Sequence, residues 1–234
     1  MFKKVFNHEN KFWRAMGKLA DLVALNLLFL VCCLPVITIG ASASAFYSML
    51  MKIVEETEPY IIRGFFSAFK ENFKKATIIW IIMFFAGAFL IFDIYLVTTA
   101  KDVFPGFFRY IIYAITFVYA LMLSFVFALQ AKFENTVIGT IKNSLLMGIG
   151  HFLPWGVLIV ILTYLPLLLF VIRLDFIFYT LPLLVLCGFG LIGYGNSKCF
   201  MKIFRRYIPE TEPEIESEPY EGFGIFPEVL DKTK

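Results

Sequence analysis

Histidine is almost missing from this chain: His8 and His151 are the only two among 234 residues. A metal centre built on several histidines is therefore excluded, and chemistry that relies on a histidine base is tightly constrained. No glycine loop with a trailing lysine is present to cradle phosphates, and no nucleophile stands in a recognisable pattern with a base. No catalytic residue, cofactor or metal is expected, so the chain reads as no enzyme. Cysteine is sparse as well. Cys32 and Cys33 are adjacent, Cys187 lies inside an apolar run, and Cys199 stands at the end of one. That spacing makes neither a disulfide framework nor a zinc site, and the four read as small packing residues. Charge is the third shortage. Charged residues are 17% of the chain, against about a quarter in a soluble domain.

Apolar mass fills the gap. Hydrophobic residues make up 60% and aromatics 18%, with a mean hydropathy of +0.80. They fall in blocks: Leu22–Met51, Tyr110–Leu129, Asn143–Ile172 and Phe176–Asn196 carry no Asp, Glu, Lys or Arg, and Ala76–Ala100 carries only Asp93. A helix of about 20 apolar residues crosses a bilayer. The fold class is all-α: a polytopic transmembrane bundle with four full spans, near 77–98, 107–130, 145–172 and 176–198, plus an interrupted first segment. Its first partner is the lipid bilayer. The net charge of +3 does not point to nucleic acid, because the basic residues flank apolar runs.

Their distribution gives a threading. Lys3, Lys4, Lys11, Arg14 and Lys18 precede the first block, and Lys52, Arg63, Lys70, Lys74 and Lys75 follow it. Lys132 and Lys142, then Lys198, Lys202, Arg205 and Arg206, lie in later connections, while Lys101, Arg109 and Arg173 alternate with them. Positive residues favour the cytoplasmic side. Placing the linker 52–75 there puts the C-terminus there too, and it satisfies the leader only if the first block turns back on itself.

The stretch "CCLPVITIGASASAF" supplies the means. Pro35 removes a backbone donor, Gly40 tolerates unusual backbone geometry, and Val36, Ile37 and Ile39 favour extended chain. A re-entrant hairpin of two half-helices meeting at 35–40, near mid-membrane and covered by other helices, is expected, with one kinked helix as the alternative. Asn26, Pro35, Thr38, Gly40 and Ser42 form the candidate functional or packing motif, and Asn26 is placed to tie the first arm to a neighbour. The "ASASA" run imitates a signal-cleavage site, but the polar leader, Asp21 and Asn26 argue against one. Asp93 and His151 are the other polar groups expected within the membrane. Asp93 is read as pairing with Arg109 or Arg173, and His151 as an interhelical donor. "GFGLIG", at 188–193, matches a dinucleotide fingerprint but sits in an apolar run, where helix packing through glycine is the better reading.

Three regions result. Residues 1–18 form an amphipathic interfacial leader. Residues 19–206 form the membrane domain, with a cytoplasmic linker helix near 60–75 that runs on into the next span. Residues 207–234, "IPETEPEIESEPYEGFGIFPEVLDKTK" from position 208, form an acidic tail of disordered composition.

"FWRAMGKLADLVALNLLFLVCCLPVITIGASASAFY" (Phe12–Tyr47), with support from "FFSAFKENFKKATI" and "KFENTVIGTIKNSLLM", resembles the YesL-like family of small bacterial membrane proteins. That resemblance implies a multi-pass protein of the bacterial cell membrane with no established activity, whose genes often accompany carbohydrate-uptake systems. It implies an accessory partner of a sugar-transporter permease and carries over no catalytic residue. The alternative is a small transporter or channel built around the broken first helix. Nothing in the sequence speaks to oligomeric state.

Overall fold

The computed structural model describes residues 11–57, 60–100, 105–172, 182 and 184–207. All regular structure among them is helical.

The first helix, α1, spans Lys11–Cys33. It stops because Pro35 has no N–H to give the Val31 carbonyl; the Leu34 N–H takes that carbonyl instead, at 3.3 Å. A single 3₁₀ turn, Val36–Thr38, reverses the chain, and α2 runs from Ile39 to Val54. The arms are tied at their far ends, where Lys18 Nζ meets Glu56 Oε1 at 2.6 Å. Lys18 and Lys52 thus lie at the same end of the bundle, as the leader charges required.

Two expectations about this hairpin need correction. Its arms are not half-helices: Met16–Cys33 and Val36–Val54, of 18 and 19 residues, are each long and apolar enough to cross a membrane. Nor is the turn covered, since Leu34, Val36 and Ile37 are 80%, 57% and 63% exposed. The uncharged run misled because the helices continue past the charges that bound it. Lys18 and Asp21 lie in α1, and Lys52 lies in the last turn of α2. Long cationic side chains at helix ends reach water while their stems stay apolar.

Helix α3 is one rod, Ile61–Thr99, of 39 residues, about 58 Å long at a rise of about 1.5 Å per residue. It joins the expected linker helix to the following span. Phe65, Ala68 and Phe69 pack its first turns against Met49 and Ile53 of α2. Pro105 precedes α4, Gly106–Lys132. Lys132 closes on Glu55 at 2.8 Å, so adjacent acids at the end of α2 hold α4 and α1. Among the described residues, α1 to α4 are the helices long and apolar enough to span.

Thr136 caps α5, Val137–Gly150, accepting the Gly139 N–H at 3.2 Å. The structure thus adds a helix that begins between the expected spans 107–130 and 145–172. The expected span 145–172 is also broken. Pro154 drives the preceding residue out of helical geometry, and Leu153 sits at φ −114°, ψ 132°. A wide π turn, Phe152–Gly156, separates α5 from α6, Val157–Ile172. Residues 173–181 and 183, which include Arg173 and the start of the last expected span, lie outside the described residues. The chain resumes in a second π turn, Leu184–Gly188, and ends in α7, Phe189–Phe204. Residues 1–10 of the leader and the tail from 208 are likewise outside them; Lys11–Lys18 are the first turns of α1.

The core is centred on α2, which buries residues along its whole length from Gly40 to Ile53. Met51 packs with Phe125, Leu129, Phe200 and Phe204, and Leu50 with Leu22, Leu25 and Phe65.

Candidate functional site

A reversal between two helices leaves backbone groups outside the helical ladder that need other partners. The hydroxyls of the first block supply them. Thr38 shares its hydroxyl proton between the Cys32 and Pro35 carbonyls, at 2.6 and 2.8 Å. Ser42 donates to the Phe29 carbonyl at 3.1 Å. The Trp80 indole, from α3, donates to the Val36 carbonyl at 2.8 Å. Pro35, Thr38 and Ser42 therefore build the reversal.

Gly40 is not at the reversal for its torsion freedom: no described glycine has positive φ. A Cβ on Gly40 would lie 2.3 Å from the Ala76 carbonyl oxygen and 2.5 Å from Trp80 Cβ. Its role is to let α2 and α3 touch.

Asn26 is fully buried and faces the second π turn. Its Nδ2 donates to the Val185 carbonyl, and its Oδ1 accepts the Gly190 N–H at 2.9 Å. One side-chain amide thus serves backbone groups that a wide turn leaves without regular partners. A Cβ on Gly190 would stand 2.9 Å from the Leu22 carbonyl oxygen, and one on Gly193 would stand 2.5 Å from Leu50 Cδ1. Gly190 and Gly193 of "GFGLIG" are packing contacts.

Asp93 and His151 do not join this constellation. Among the described residues no ion pair to Asp93 forms, so the expected pairing with Arg109 is not made, and Arg173 lies outside them. The His151 ring stands 5.7 Å from that of Tyr207, and its Nδ1 is buried with no hydrogen bond. Among the described residues, His151 makes no interhelical hydrogen bond.

The sequence reading missed a polar region where α2, α3, α4 and α5 meet at the basic end. Gln130 donates to Asn72 Oδ1 at 3.1 Å and accepts from Thr140 Oγ1 at 3.0 Å. Two clefts flank it. One, about 310 Å³, is lined by Asn72, Lys75, Gln130, Lys132 and Glu134; the other, about 530 Å³, by Lys52, Thr57, Tyr60, Arg63 and Ser67. Ser48 and Glu71 line both. The signal was present as cations and hydroxyls around 48–75, but in a linear sequence these served only to orient the chain.

Residues 22–94 match the model of a family described as "Protein of unknown function, DUF624". The match begins within α1, covers the hairpin and reaches well into α3, so it contains Asn26, Pro35, Gly40, Glu56 and Asp93. It overlaps the residues on which the YesL-like resemblance rests. No curated protein and no solved structure matches the chain.

Proposed function

We propose that this is a non-enzymatic integral membrane protein acting as an accessory or regulatory partner of a carbohydrate-uptake permease. The observation that supports contact with a membrane partner is the outer half of the α3–α4 pair. Past Met83 on α3 the only buried residue is Val97, and α4 buries nothing before Leu121. Phe84, Phe85, Phe89, Phe92 and Tyr95 are exposed along this arm. Between the two helices lies an apolar groove of about 420 Å³ lined by Trp80, Phe84, Gly87, Ile91, Thr116 and Tyr119. Helices associate in lipid by packing, and small residues allow the approach; Ala86 and Ala88 flank Gly87 among the phenylalanines. The resemblance supplies the class of partner.

A photo-crosslinking residue at Phe85 or Phe89 of the full chain, activated in native membranes, tests this. Capture of a permease subunit is expected. Repeated recovery without any transporter component would overturn the reading. The rival, a small transporter, draws on the buried hydroxyls of Ser44 and Ser197, which have no hydrogen-bond partner among the described residues. It predicts solute flux through proteoliposomes of the purified chain alone.

A further inference from the structure

We infer that the cleft between the end of α2 and the start of α3 is a binding site for an anionic phosphoglycerol headgroup, held by Lys52 and Arg63. Its volume, about 530 Å³, is ample for such a group. Among the described lining residues, Lys52 and Arg63 supply two cations, Ser48, Thr57, Tyr60 and Ser67 supply hydroxyls, and Glu71 is the acid. Glu55 and Glu56, which follow Lys52 closely in the chain, are turned to Lys132 and Lys18 instead. Among the described lining residues positive charge therefore exceeds negative, and phosphate oxygens accept well from both cation types. The hydroxyls and Glu71 suit the glycerol end.

The same chemistry occurs in soluble phosphoglycerol compounds and in phosphatidylglycerol. The surroundings favour the lipid. Lys52 closes a helix long enough to span, and the cleft-side turns of α3 expose Ile62 and Phe66, apolar surface against which acyl chains can lie. Basic groups at the membrane surface attract anionic lipid generally; the distinguishing claim is a formed cleft that takes one headgroup.

The full chain in detergent, titrated and read by native mass spectrometry, tests this with dioleoylphosphatidylglycerol, dioleoylphosphatidylcholine and sn-glycerol-1-phosphate. Phosphatidylglycerol should bind one to one and outcompete phosphatidylcholine. Replacing both cations, K52Q with R63Q, should weaken it about tenfold or more. K70Q with K74Q removes equal charge outside the cleft and should leave it unchanged. S67L fills the cleft with its charges intact and should reproduce the loss even if the double variant folds poorly. Equal loss in K70Q/K74Q, or full binding in S67L, would overturn the site. An equal affinity for sn-glycerol-1-phosphate would overturn its assignment to lipid.

Discussion

Lys18 and Glu56 are 38 residues apart in the chain and 2.6 Å apart in the fold. That contact reports the direction of both arms of the hairpin. Single cysteines at Lys18 and Glu56, in a background lacking the four native cysteines, should label from one side of the membrane, and one at Thr99 from the other. Labelling of 18 and 56 from opposite sides would mean that the first segment crosses once.

Glu56 also carries the one positive φ among described non-glycine residues, 58°. The Thr57 N–H returns to the Lys52 carbonyl at 3.1 Å and the Glu56 N–H to Ile53 at 3.3 Å, a helix ending that favours glycine at this position. Glu56→Gly and Glu56→Ala both lose the exposed ion pair, itself worth about 0–1 kcal/mol. Glycine should nevertheless be the more stable of the two by about 1 kcal/mol, read as the difference in their unfolding midpoints. Equal stability would show that the torsion is not constrained.

Gly40→Ala should force α2 from α3 and cost about 1–3 kcal/mol, as overpacking does in tight cores. In a background where Trp80 is the sole tryptophan, its emission should shift as the bond to the Val36 carbonyl is lost. An unchanged spectrum would contradict the close approach.

Asn26→Leu keeps the approximate volume and strands the Gly190 N–H and the Val185 carbonyl. A loss of about 1–3 kcal/mol is expected. Hydrogen exchange should quicken at Gly190 more than within α4. Uniform quickening would point to general loosening rather than to this one contact.

The reversal was legible in the sequence because Pro35 and the unbalanced leader charges act locally and additively. Asn26 was legible as a tie, since a buried amide in an apolar run needs a partner. The partner itself, a π turn some 159 residues away, was not. The expected span 145–172 separates at Pro154 into two helices, where Gly148 and Gly156 both seat against Leu121, a contact between distant segments. The depth of the first hairpin was misjudged because charge was taken as a helix boundary. The polar meeting of Asn72, Gln130 and Thr140 could not be read at all, since its members reach each other only after three helices have packed.

The bond from Trp80 to the Val36 carbonyl has a consequence for biogenesis. The donor lies 44 residues downstream of the acceptor, on the third helix to be made. When α1 and α2 first enter the bilayer, the tip between them carries a carbonyl whose eventual donor is still unsynthesised or waiting outside. Insertion of the first pair is therefore provisional, and arrival of α3 completes it. A ribosome stalled before Trp80 should leave a nascent hairpin that is extracted or degraded more readily than one stalled after it.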